Sequence, residues 1–416
     1  MFVLRFLGGL LMVSLATLTV VQPTTRVLWG ASVAATEWGT WLALASLVVL
    51  IPTRDRWRLG RLGAVMSLAA IGLFVTPVVR AKQLNETLPF AIESNFGTVQ
   101  RARHSYAEPA RKEPLNLTEL LNPVKAPPVR YEERVFAAHD GQNLSLGLYR
   151  PAYVHEAVPV ILVVHGGTWR DGDRREFASF NAYLASRDYV VAAMDYRLAP
   201  QWRFPAARDD VLTAIAFLKV YAREIGIDAT RIALLGRSGG GQLALLAAYT
   251  AQEPAIKGVI SLYGSSDLRA EYENPAPPKV RDTRAALEAY LGGAPGSASD
   301  DAYYAASPVN FVNPSAPPTL LVHGERDPIV SAGQTSALES RLQKAGVKNL
   351  FVRLPWATHG CELSYGGPCG QIVSYAVERF LDSVMAGPPP AKTAPGPVRK
   401  AAPAGRAANQ SAKKTN

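Results

Sequence analysis

Apolar residues follow two rhythms along this chain. Over the first eighty residues they run almost unbroken through Phe2 to Val21, Ala31 to Ile51 and Leu62 to Val79. Each run is near the roughly 20 residues that cross a bilayer as a helix, so about three transmembrane helices are expected in a membrane region over residues 1–80. The first run also fits a signal peptide, being short with Arg5 near its start, but no clear small-x-small cleavage site precedes Gln22. The second contains Glu37, and a carboxylate is costly in lipid. That span faces another helix or starts lower, with Trp38 and Trp41 at the interface.

Residues 81–128 are polar and proline-containing without periodicity, which predicts a linker with one short helix around Leu117 to Leu121. From Val129 the rhythm changes. Alternation on both sides of Asp140-Gly141 predicts a β-hairpin. Short continuous apolar runs follow at Val158 to Val164, Tyr189 to Met194, Ile232 to Leu235, Gly258 to Leu262, Thr319 to Val322 and Leu350 to Leu354. Between them lie amphipathic stretches such as Ala206 to Glu224 and Ala332 to Ala345. Buried strands alternating with helices predict a mostly parallel sheet covered on both faces over residues 129–385. The long connection 267–313, with a helical run Thr283 to Leu291, predicts a small lid.

Charge changes the picture only once it is located. The formal net charge is +10, but six of those charges sit on Lys392, Arg399, Lys400, Arg406, Lys413 and Lys414, in a Pro/Ala-rich tail over 386–416 that has no acidic residue. Such a tail cannot bury a core and is expected to be disordered, lying on anionic lipid or envelope polymer or solvated without a partner. It gives no reason to expect nucleic acid as a partner. Arg54, Arg56, Arg58 and Arg61 crowd the second connection, whereas the first holds only Arg26. The positive-inside rule then makes the protein a multi-pass cell-membrane protein with everything after Val79 on the extracytoplasmic side. Cys361 and Cys369, the two cysteines, suit that compartment as a disulfide, with two buried free thiols as the alternative. A metal site has too few partners.

In a parallel sheet, chemistry gathers at the carboxyl ends of the strands. After Arg231 to Leu235 comes Gly236-Arg237-Ser238-Gly239-Gly240, a strand-to-helix turn with a serine hydroxyl at its apex. With 33 glycines in 416 residues, that pentapeptide by itself has an appreciable chance origin. A serine needs a base, and the base a carboxylate. His359 follows Leu350 to Leu354 in a polar loop, and Asp327 follows Thr319 to Val322. His323 and His165 read as structural. His104, His139 and His155 read as surface residues. The order Ser238, Asp327, His359 is that of an α/β-hydrolase. The turn His165-Gly166-Gly167-Thr168-Trp169 could offer backbone N–H groups to an oxyanion, together with Gly239. Trp169, Tyr263 and Trp356 are candidates for an apolar acyl pocket.

Residues from about Val129 to Met385 also resemble the hormone-sensitive-lipase-like and related carboxylesterase group of α/β-hydrolases. The resemblance rests on His165-Gly166-Gly167-Thr168-Trp169, Asp195-Tyr196-Arg197-Leu198-Ala199-Pro200, Phe204 to Val211, the serine pentapeptide, Ser307-Pro308 and the loops of Asp327 and His359. It implies ester hydrolysis by Ser238, Asp327 and His359, with an oxyanion hole from Gly166, Gly167 and Gly239. Relatives usually carry an acidic residue or histidine in place of Arg237, and alanine in place of Gly239. Asp195 and Arg197 read as a buried brace near the serine turn.

The sequence therefore predicts a membrane-anchored serine carboxylesterase. It would cleave short- to medium-chain acyl esters, small molecules, through an acyl-enzyme, without metal or cofactor. Deacetylation of an envelope glycan, amide or formamide cleavage, acyl transfer, and an inactive tethered binding module are the alternatives.

Overall fold

The computed structural model describes residues 2–51, 58–98, 107–122, 128–151, 156–296 and 298–386. Arg54 and Arg56 of the basic loop, His104, His155 and the tail beyond Ala386 lie outside the described residues.

Eight strands form one sheet in the order β1-β2-β4-β3-β5-β6-β7-β8. They are β1 (Val129–His139), β2 (Gln142–Pro151), β3 (Val158–Val164), β4 (Val190–Met194), β5 (Ile227–Arg237), β6 (Ile256–Leu262), β7 (Thr319–Gly324) and β8 (Asn349–Leu354). The hairpin β1–β2 turns at Asp140-Gly141, and β2 joins β4 antiparallel. From β4 to β8 every pairing is parallel. All seven residues of β3 and all five of β4 are buried. Their unbroken apolar runs follow from a sheet covered on both faces, since neither face of a strand meets water.

The helices are α1 (Phe2–Thr17), α2 (Arg26–Glu37), α3 (Gly39–Leu50), α4 (Arg58–Phe96), α5 (Ala178–Ala185), α6 (Ala206–Val220), α7 (Ala222–Ile225), α8 (Gly239–Thr250), α9 (Leu268–Glu273), α10 (Thr283–Leu291), α11 (Asp300–Ala306), α12 (Ala332–Lys344) and α13 (Pro368–Val384). Helices α9, α10 and α11 occupy the connection between β6 and β7 where a lid was expected. The two largest apolar clusters lie on opposite faces of the sheet. One joins β2, β3 and β5 to α6 and α8, and the other joins the sheet to α5 and α13.

Among the described residues one helix, α4, is long and apolar enough to cross a membrane. The pair α2–α3 passes that test only jointly, across a bend of 84°, and α1 is shorter. The break falls at Glu37-Trp38-Gly39. There the Glu37 carboxylate leaves the apolar run and accepts the Cys369 N–H at 3.0 Å. Helix α4 also continues past Arg80 into residues expected to be linker. Leu88, Ile92 and Phe96, spaced four apart, are buried on one face, and Phe96 meets Phe380 of α13 edge-on at 4.9 Å. That face holds the helix together despite Pro89.

Arg197 and Asp195 do brace this region, but not through each other. Arg197 grips Asp210 at 2.7 Å, and Asp195 takes Arg174 at 2.7 Å.

Candidate active site

Ser238 closes the turn from β5 into α8 with φ 52° and ψ −124°, a conformation unfavourable for a residue with a Cβ. Close backbone approach enforces it. A Cβ on Gly236 would lie 2.0 Å from the Gly240 carbonyl oxygen, and one on Gly240 2.1 Å from that of His165. The serine is thereby raised to the end of the sheet, only 6% exposed, and lines a cleft of about 410 Å³.

His359 lines the same cleft. Its Nδ1 lies 2.6 Å from Oδ2 of Asp327, leaving Nε2 on the side away from the carboxylate. Asp327 is held at both oxygens. Oδ1 accepts the N–H groups of Ile329 and Val330 at 2.7 and 3.0 Å, while Oδ2 also receives His323 Nε2 at 3.1 Å. Burial by itself would raise the pKa of this carboxylate. The charges and hydrogen bonds of His359 and His323 outweigh burial and hold it well below the usual range. His323 in turn meets Thr335 Oγ1 at 2.6 Å and the Val330 carbonyl at 2.9 Å. The expectation of a structural role for His323 understated its contact with Asp327.

The glycine turn lies beside the serine. A Cβ on Gly166 would come within 3.5 Å of Ser238 Cβ, and Gly167 and Thr168 both have positive φ. Glu176 lines the cleft beside this turn, and burial is the main reason that its carboxyl pKa is raised. His165 stacks on Tyr196 at 4.1 Å and bonds within its own turn to the Gly166 carbonyl at 2.8 Å. Arg281, carried by the lid segment before α10, clamps the turn through the Gly167 carbonyl, Thr168 Oγ1 and Asp171.

Of the three aromatic pocket candidates, Tyr263 lines the cleft, its ring 4.4 Å from that of His359. Trp169 and Trp356 do not. Trp169 is 1% exposed, stacks on Tyr290 at 4.6 Å and donates its indole N–H to Gln242. It packs beneath the helix start at Gly239, where the absence of a side chain admits the indole. Trp356 is likewise a core residue, 1% exposed, in the cluster with α13. A large flat ring gains most where both of its faces are covered, which the core offers and an open cleft does not.

Several residues at the site escaped the sequence reading. Glu362, three residues beyond His359, takes Arg237 Nε at 3.0 Å and also accepts the Tyr263 hydroxyl. The neighbouring Cys361 is disulfide-bonded to Cys369, with their Cα atoms 5.8 Å apart. From the amino-terminal helices come Arg26 and Trp29, which form one wall of the cleft. The Trp29 indole N–H donates to the His359 carbonyl at 2.9 Å, Gln22 Nε2 to the Asp327 carbonyl at 3.1 Å, and Arg26 N–H to the Lys279 carbonyl at 2.9 Å. Nothing local in the sequence signals these contacts across some three hundred positions. Among the described residues no three His, Cys, Asp or Glu side chains gather as metal ligands.

The parallel sheet, the strained serine turn and the aspartate–histidine pair at neighbouring strand ends define an α/β-hydrolase. Residues 146–342 match the family profile described as BD-FAE. The chain is 30% identical to Esterase LipC of Mycobacterium tuberculosis, a match covering 63% of this chain and 70% of that protein. It is 29% identical to the same organism's Probable carboxylic ester hydrolase LipM, over 60% of this chain and 62% of that one. The solved hyperthermophilic esterase from Pyrobaculum calidifontis superposes with a TM-score of 0.53 at 26% identity, covering 61% of this chain and 83% of that one. The chain belongs to the hormone-sensitive-lipase-like α/β-hydrolase carboxylesterases, and as a member it is a carboxylic ester hydrolase.

Proposed function

We propose that the chain is a membrane-anchored serine esterase in which Ser238 is the nucleophile, His359 the base and Asp327 the residue that orients it. The observation that carries this reading is the Nδ1–Oδ2 pairing of His359 with Asp327 at 2.6 Å, beside Ser238 in one cleft. His359 Nε2 takes the Ser238 proton as Oγ bonds to the ester carbonyl carbon. The tetrahedral oxyanion is met by backbone N–H groups from the set Gly166, Gly167 and Gly239. Collapse breaks the bond to the alcohol, which leaves with the proton from His359. Water, deprotonated by the same nitrogen, then releases the acid and restores the serine. By itself the cleft of about 410 Å³ holds a short- to medium-chain acyl group, and a longer chain would need space beyond it.

The same reading assigns residues 1–80 to a multi-pass membrane region, 129–385 to the catalytic domain with its lid over 267–313, and 386–416 to a tail. The apolar length of α4 and the basic residues Arg58 and Arg61 at its start support anchoring with the catalytic domain on the extracytoplasmic side. The bent α2–α3 pair supports a shallow or broken second span in place of a straight one. A fluorophosphonate probe applied to folded protein should label Ser238. If no adduct forms there, the nucleophile assignment is lost.

A further inference from the structure

A second cavity lies beside the cleft at Ser238. It measures about 390 Å³ and shares Arg26, Trp29 and Leu363 with the cleft as a common border. Beyond that border it runs along one face of α2, over Gly30, Val33, Ala34 and Trp38. Its far end is Glu37, whose carboxylate is turned onto the Cys369 N–H. Apart from that end and Ser364, the lining beyond the border is apolar or backbone.

The position of this cavity matters as much as its lining. Helix α2 is the first half of the bent apolar pair whose second half, α3, is apolar apart from Thr40 and Ser46 and exposes Trp41, Leu44, Leu47 and Val48. Of its lining, Trp38 and Leu363 are also exposed, as are Val27 and Leu28 at the start of α2. Such a rim is costly in water and favourable at a bilayer interface, where tryptophan collects. The second cavity therefore lies between an apolar rim and the wall of the serine cleft, with Trp29 at the shared border.

We infer that this second cavity is an acyl-chain channel, and that the substrate is a long-chain acyl ester resident in the bilayer, drawn along α2 until its carbonyl reaches Ser238. The inference rests on the esterase reading of Ser238. The first cleft seats the carbonyl end of the chain, and the channel takes the remainder. Trp29, fixed to the His359 carbonyl by its indole N–H, stands at the junction. The alternative source, a dissolved ester, needs only the first cleft and gives the channel nothing to do.

Full-length protein in phosphatidylcholine vesicles would be assayed with p-nitrophenyl butyrate and p-nitrophenyl palmitate. Gly30→Phe would obstruct the channel, because a Cβ at Gly30 meets nothing within 4 Å and the ring can enter without displacing the core. Val33→Phe is the second variant, and the thermal midpoint of each reports folding. Removing a well-matched apolar subsite should lower the palmitate-to-butyrate ratio of kcat/KM by about tenfold or more. A fall of less than about fivefold in both folded variants would overturn the channel. Wild-type protein that cleaves butyrate but not palmitate would overturn it as well. Failure on both esters, with no fluorophosphonate adduct, would remove the esterase reading and the channel with it.

Discussion

The Arg237 guanidinium donates from Nε to the Glu362 carboxylate across 3.0 Å, with both side chains 1% exposed. This pair ties the residue before the serine to the loop that carries His359. The guanidinium also lies 3.7 Å over the ring of Phe177, and the Tyr263 hydroxyl donates to the same carboxylate oxygen. Arg237, an unusual neighbour for the serine, thus has a buried partner in the histidine loop.

Breaking this pair from one side leaves a buried charge without compensation, which costs about 3–5 kcal/mol, whereas replacing both partners with apolar groups can be nearly neutral. Arg237→Leu and Glu362→Leu should each lower the urea midpoint markedly, and the double variant should recover much of the loss. Additive losses in the double-mutant cycle would show that the two side chains act independently.

Removal of the proposed nucleophile should be far more severe for turnover than for stability. Ser238→Ala is expected to lower kcat on a chromogenic butyrate ester by about 10⁴-fold or more, and Asp327→Asn by about 10⁴-fold. The unfolding midpoint of Ser238→Ala should stay close to wild type. Retained activity in purified Ser238→Ala would require another nucleophile.

The strand ends were legible because the chemistry of a parallel sheet is written next to its strands. Ser238, Asp327 and His359 each follow an apolar run by only a few residues, so a local reading reaches them. The closing wall of the cleft is not local. Trp29 and Gln22 reach His359 and Asp327 across the whole catalytic domain, and in the sequence they belong to a stretch that reads only as membrane-seeking. The misplacement of Trp169 and Trp356 has a related cause. A tryptophan beside a catalytic motif looks like a pocket wall, and only packing shows that Trp169 is sandwiched by Tyr290 and the start of α8. The continuation of α4 was present as Leu84, Leu88, Ile92 and Phe96, but Asn85, Glu86 and Pro89 masked it.

Two carboxyls near the histidine give stability opposite dependences on pH. Burial lifts Glu271 from its ordinary 4.5 to about 7, against a hydrogen bond from Ser265 and the charge of His359. Between those values the folded chain holds a proton that the unfolded chain has lost, so stability falls as pH rises through that window and then levels. Asp327, depressed in the folded state, contributes stability that is fully present above its unfolded value near 3.8 and lost as pH falls below it. Urea midpoints measured from pH 5 to pH 8, about the range in which only Glu271 of these two titrates, should decline for wild type. They should flatten in Glu271→Gln, and an unchanged slope in that variant would assign the decline to another group.

The amino-terminal helices should prove inseparable from the catalytic loop through Arg326. Its guanidinium donates to the carbonyls of Leu18 and Thr19 at 2.9 and 2.5 Å and also to that of Val21, capping the chain just beyond α1 with a cation. Those carbonyls have no further helical turn to bond them, and a positive charge there also suits the helix dipole. The next residue is Asp327, whose own carbonyl accepts from Gln22. Arg326→Met removes hydrogen bonds from a charged donor worth about 1.5–3 kcal/mol each, so it should lower the thermal midpoint and ester turnover together. Arg326→Lys keeps the charge but replaces a planar fork with a single nitrogen that cannot reach the three carbonyls in the same way. It should restore only part of either property. Full rescue by lysine would mean that charge alone, and not the fork, holds α1 to the aspartate loop.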